Sequence, residues 1–171
     1  VNICYLVQYK VFKKYKNIET FQENVLLKNQ KLKKIFSQGT PLFEKPLTIS
    51  QVSFENKPKI ENHIVMIGDT AGLIHPLCGN GMAMAIHSAK LASELVISFL
   101  KKEINRDQLE RSYSTIWDQN FKKRIQFGKV LSTILLNNFA SNIVMKMIAF
   151  FPSILPFIIK KTHGKEILDN I

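Results

Sequence analysis

Apolar positions change period several times along this chain, and the changes outline its elements. Residues 1–9, VNICYLVQY, form an apolar run of β-branched and aromatic residues and predict a strand. Over residues 18–36, Phe21, Val25, Leu26, Leu32 and Phe36 recur at helical spacing among lysines and glutamates, predicting one or two amphipathic helices. Gly39, Pro41 and Pro46 punctuate the chain before LTISQVSF at 47–54, whose partial alternation predicts a second strand. After a polar loop, HIVMI at 63–67 is a short continuous apolar run of the kind found in a strand covered on both faces.

Beyond a loop containing Gly72, Pro76, Gly79 and Gly81, residues 82–100 predict one helix. Its small residues Ala83, Ala85, Ser88, Ala89 and Ala92 suit close packing against a sheet or a neighbouring helix. Asn105-Arg106-Asp107 resembles a helix start, with Asp107 as the expected cap, and a helical pattern carrying Leu109, Tyr113, Ile116, Trp117 and Phe121 runs on through Leu136. The last forty or so residues predict further helix interrupted by Pro152 and Pro156. No internal repeat or low-complexity tract occurs.

A hydrophobic fraction of 46% over 171 residues is enough for a real core and excludes a disordered tail. The net charge of +11 raises anionic cofactors, nucleic acid and acidic membrane surfaces as partners. Because the basic residues fall in small scattered clusters that match no nucleic-acid-binding signature, a solvated helical face is expected and no nucleic acid is called. Two cysteines, Cys4 and Cys78, suggest no disulfide framework, and no signal-peptide pattern is present, so the cytoplasm is the expected compartment.

Chemistry concentrates after the HIVMI run. A strand ending in Gly68-Asp69, a turn with Pro76, Gly79 and Gly81, and then a helix can present a carboxylate and bare backbone N–H groups to a polar ligand. The whole run GDTAGLIHPLCGNGMAMAIHSAKLASEL, residues 68–95, resembles the second FAD motif of the aromatic hydroxylase (monooxygenase) and geranylgeranyl reductase superfamily. That motif is Gly-Asp-Ala-Ala, a spacer, Pro-x-x-Gly-x-Gly and a small-residue helix; Thr70 stands where its first alanine would be.

The resemblance implies that Asp69, with Gly68, meets the ribityl chain of FAD and that Pro76, Gly79 and Gly81 lie against the isoalloxazine, while Asn80 and Met82 are expected to join the cofactor contacts at the helix start. A helix start at residues 80–82 would favour negative charge on the reduced ring by about 0.3–1 kcal/mol. It further implies an FAD-dependent oxidoreductase, a monooxygenase or double-bond reductase, with NADH or NADPH as possible electron donor. The substrate would be a small apolar organic molecule, lipid or polyprenyl compounds included.

His75 beside Pro76 is a weak catalytic candidate, since a loop histidine more often packs than transfers protons. Cys78 reads as an inert buried thiol and His87 as structural, and the spacing of these groups predicts no metal site.

No Gly-x-Gly-x-x-Gly fingerprint for the pyrophosphate is found among the seven glycines. The chain, starting at Val1 inside an apolar run, is therefore expected to be the C-terminal portion of a longer enzyme, unable to hold FAD tightly or act by itself. On that reading the fold class is α/β, here α+β, in three parts. Residues 1–54 end a β-sheet substrate domain, 55–101 close a Rossmann-like FAD domain, and 102–171 are a helical C-terminal region.

From 131 to 159 only Lys146 is charged, yet Asn137, Asn138, Asn142, Pro152 and Pro156 cut the segment into pieces shorter than the roughly 20 residues of a spanning helix. A helical cover over a substrate cavity and a peripheral, interfacial membrane contact both fit it. The alternative to an enzyme is a noncatalytic helical module that binds a membrane surface or a partner.

Overall fold

The structure is a computed structural model and describes residues 3–50 and 53–163. It is mostly helical with one small antiparallel sheet, and the chain divides into two compact units, Val1–Gln51 and Val52–Ile171.

The first unit carries helices α1 (Tyr9–Phe12), α2 (Ile18–Asn24) and α3 (Gln30–Gln38), with Phe21 of α2 buried. The rings of Tyr5, Phe12 and Tyr15 pack on it with centroids 5.9, 5.9 and 5.4 Å away. Asn17 and Asn29 start α2 and α3 by accepting first-turn N–H groups, as short polar side chains do at helix N-caps.

Neither strand expected here forms among the described residues. Residues 3–8 are irregular and lead into α1, and 47–50 and 53–54 form no strand; residues 1–2 and 51–52 lie outside the described residues. A strand needs a neighbour to take its backbone groups. With no pairing segment here, Tyr5 packs on Phe21 instead, and Leu47 and Ile49 stay exposed.

The second unit carries a hairpin, β1 (Ile60–Glu61) and β2 (Ile64–Val65), closed by Asn62 and His63 with φ of 48° and 63°. Positive φ at both loop residues is the type I′ geometry that matches strand twist. The HIVMI run therefore supplies a two-residue antiparallel strand rather than a doubly covered one, with Ile64 exposed.

Helix α4 (Gly81–Leu100) follows the glycine-rich loop and packs on α5 (Arg106–Trp117). A π-helical turn, Asp118–Lys122, joins α5 to α6 (Lys123–Leu136). Asn105, rather than Asp107, caps α5: its side chain accepts from Gln108 N–H while the Gln108 side chain accepts from Asn105 N–H. The core joins Ala71, Ile74, Met84, Ala92, Tyr113, Trp117, Phe121 and Ile125.

Beyond Asn137, α7 (Asn138–Phe150) and α8 (Ile154–His163) pack on α6 and on each other. The break between them falls at residues 151–153; Pro156 sits in the first turn of α8, where a missing N–H costs nothing. By length and composition α4, at 20 residues and mean hydropathy 1.3, is apolar enough to cross a membrane, as the core helix of a soluble domain also is.

Candidate functional site

The Gly-Asp turn is built onto α4 by small residues. Gly68, Asp69 and Thr70 form a single 3-10 turn in which Gly68 has φ +62°. A Cβ on Gly68 would lie 3.1 Å from the Ala85 Cβ, so glycine serves both the backbone conformation and the close approach. The Gly68 N–H donates to Ser88 Oγ at 2.9 Å, and the Ser88 hydroxyl donates on to Ala85 O. Thr70 clasps the turn from within: its hydroxyl donates to Ile67 O and accepts from Ile67 N–H.

Two lysines brace the outer side. Lys57 donates to Asp69 O at 3.0 Å, and Lys59 donates to Ala71 O at 2.9 Å with its ammonium 3.9 Å from the centre of the Trp117 ring. Burial pushes the Lys59 pKa down, offset in part by Asp118. Behind the turn, the Tyr113 hydroxyl donates to Met66 O at 2.6 Å, and burial raises its pKa to about 12.

With its backbone fixed, Asp69 keeps an exposed carboxylate that takes no hydrogen bond or ion pair among the described residues. It points along the start of α4: a Cβ on Gly81 would meet only Asp69 Oδ1, at 3.9 Å.

Pro76 opens a second 3-10 turn, Pro76–Cys78, that ends at Gly79 in the left-handed region with φ +62°. A Cβ on Gly79 would touch nothing within 4 Å, so this part of the loop faces open space. Leu77 and Met82 are exposed beside it, Met82 at 84%. Asn80, only 3% exposed, donates its amide to the Thr162 and His163 carbonyls at the end of α8. No side chain therefore caps α4 among the described residues, and its first-turn N–H groups and partial positive charge have no side-chain partner.

His75 lies on the other side of the same loop and is 6% exposed. Its Nδ1 accepts from Leu77 N–H at 3.3 Å, which leaves Nε2–H to donate to Ser132 Oγ at 2.8 Å, and Phe54 stacks on the ring at 4.8 Å. Both nitrogens are engaged in holding the loop on α6, and burial lowers the pKa. Cys78 is buried beside Gly128, whose Cβ would come within 3.1 Å of the sulfur, and burial raises the thiol pKa, as in an unreactive core cysteine. His87 packs edge-on against Phe121. Among the described residues no cluster of His, Cys, Asp or Glu could hold a metal ion.

The structure thus brings Gly68, Asp69, Gly81 and the start of α4 together on one side of the Pro76–Met82 loop, and sets His75 on the other. Ser88, Lys57 and Lys59, which fix the turn, carry no signal in the sequence beyond a small helical residue and two loop lysines.

A free carboxylate can accept from hydroxyl donors, and an uncapped helix start can face an electron-rich carbonyl.

No family model matches this chain, and no solved structure matches it. Among curated proteins, a similar one is conditioned medium factor receptor 1 of Dictyostelium discoideum, 30% identical over 80 residues. That match covers 46% of this chain and 16% of the receptor, so it spans a small part of the relative's length.

Proposed function

We propose that this chain contributes the ribityl- and ring-facing half of a flavin site in an FAD-dependent oxidoreductase, a monooxygenase or double-bond reductase acting on an apolar organic substrate. One observation carries the reading. Asp69, in a turn pinned through Gly68 and Ser88, holds an unpaired carboxylate beside the uncapped start of α4. Both groups are exposed and lie close enough to face one polar ligand.

When bound, the flavin supplies the electron and hydride transfer. The chain's own residues do the rest. Asp69 would accept hydroxyl donors of the sugar-alcohol chain, and the Gly81 and Met82 N–H groups would favour negative charge beside the start of α4 by about 0.3–1 kcal/mol. Gly79 keeps the backbone clear of the ring, and Leu77 and Met82 give the loop an apolar surface toward solvent. His75 holds the loop in register with α6. The pyrophosphate and adenosine are left to a Gly-x-Gly-x-x-Gly segment that these 171 residues do not contain.

The test is the absorbance spectrum of protein purified from the complete reading frame, beside Asp69→Ala. Bands near about 375 and 450 nm that survive gel filtration and weaken at least several-fold in the variant are expected. A folded protein that carries no flavin, and takes up none when FAD is added, overturns the reading.

A second reading is a noncatalytic module that binds a surface or a partner. The exposed apolar face of α7 and the likeness to a protein named as a receptor favour it. An empty, folded protein in the same experiment is its expected signature.

A further inference from the structure

Helix α7 is apolar in sequence, NFASNIVMKMIAF, yet none of its thirteen residues is buried. Phe139, Ile143, Met147 and Phe150 follow one another at spacings of four, four and three, so they share one face of the helix. All four are exposed, Phe139 at 78% and Phe150 at 80%. Beyond α7, Phe151 and, on α8, Leu155 and Phe157 are exposed as well. Isolated apolar residues on a surface need no explanation, but a continuous face with this many large side chains marks a binding surface.

Charge says what binds there. Residues 138–163 hold three lysines and not one Asp or Glu. Lys146 lies on the apolar face of α7 itself, between Ile143 and Met147, and Lys160 and Lys161 close α8, with the Lys161 ammonium 5.6 Å from the centre of the Phe157 ring. Phenylalanines rimmed by long cationic stems, which bury their methylenes while the ammonium stays at the polar boundary, fit the headgroup layer of an anionic bilayer. A second copy of the chain fits poorly, because pairing this face with itself would place two Lys146 ammonium groups in an apolar surrounding.

We infer that the α7–α8 hairpin is an interfacial docking element for anionic phospholipid. It inserts Phe139, Phe150 and Phe157 to the depth of the headgroup and acyl boundary and holds there through Lys146, Lys160 and Lys161. The inference stands apart from the flavin reading, since no residue in it touches the Gly-Asp turn. The two surfaces are joined mechanically: the Asn80 amide holds the last carbonyls of α8, so the docking hairpin is tied to the glycine loop.

Flotation with vesicles tests it, using the full chain, phosphatidylcholine vesicles, and phosphatidylcholine vesicles carrying about 30% phosphatidylserine. Binding is expected to the anionic vesicles and to fall steeply at about 0.5 M salt, where the screening length is only a few ångströms. Phe150→Ser with Phe157→Ser should weaken binding by about ten-fold or more, and Lys146→Gln with Lys160→Gln by about five-fold per lysine. Circular dichroism and the urea midpoint should be unchanged in both variants, because every substituted side chain is exposed. Three results overturn the inference: no binding to anionic vesicles, binding that ignores the phenylalanine pair, or sedimentation showing that the same phenylalanines instead drive self-association.

Discussion

Helices α4 and α7 carry stripes of nearly the same spacing and opposite fates. On α4 the stripe is Gly81, Ala85, Ser88 and Ala92, all small, and the chain's own Gly-Asp turn lies against it closely enough for Gly68 N–H to reach Ser88 Oγ. On α7 the stripe is Phe139, Ile143, Met147 and Phe150, all large, and nothing in the described residues covers it. Apolar content does not separate the two helices. What separates them is size along the stripe: small side chains let backbone approach backbone and fix a turn, whereas large ones offer area to something softer and less specific.

The sharpest way to break this contrast is to remove a large side chain from each region. Trp117 is nearly fully buried, flanks Gly72 and Phe121, and lies under the Lys59 ammonium. Trp117→Ala should cost about 3–5 kcal/mol of stability. Phe150→Ser on the α7 face should stay within about 0.5 kcal/mol. Urea unfolding of both variants decides it, and equal losses would mean that α7 is as much part of the folding core as α5.

A smaller effect sharpens the role of the small stripe. Gly68→Ala forces a Cβ into the left-handed region and to 3.1 Å from the Ala85 Cβ, for an expected loss of about 1–3 kcal/mol. Pairing it with Ala85→Gly relieves the contact but not the backbone strain, so the double variant should recover only part of the loss. Full recovery, read from the same urea midpoints, would show that the approach to α4 alone demands glycine at this position.

The contrast also explains what was legible beforehand. Helix α4 could be read nearly to the residue, because Pro76, Gly79 and Gly81 punctuate its start and the run after them is continuous. The approximate start of α5 is legible from Asn105, but the cap expected at Asp107 falls two residues too late, since both residue types cap well and only the Gln108 reciprocal bond decides. The strands expected at 1–9 and 47–54 rested on β-branched and aromatic content, which describes a side-chain preference and supplies no partner. The His75–Ser132 and Asn80–Thr162 bonds join residues 57 and 82 apart, and no local pattern encodes them. The turn at Gly68-Asp69 is legible from its glycine. That the start of α4 is left uncapped, because Asn80 turns to α8, depends on tertiary packing.

The smallest expected effect concerns pH and tests whether the glycine loop is as firmly held as the turn beside it. Burial lowers the pKa of His75, and the Nδ1 that would take the added proton already accepts from Leu77 N–H. The unfolded chain, with an ordinary histidine pKa near about 6.5, then binds a proton before the folded one does. Folding stability is therefore complete above that value and falls as pH drops below it, toward the lowered folded pKa. His87, also lowered chiefly by burial and further by Arg124 and Lys90, adds to the same trend. Urea midpoints should fall between pH 7.5 and 5.5 in the native protein, and fall less in His75→Gln, which cannot titrate. If the pH dependence is unchanged in that variant, the loop opens easily enough for His75 to protonate as freely as in the unfolded chain, and the firmness of this region stops at the Gly68–Ser88 bond.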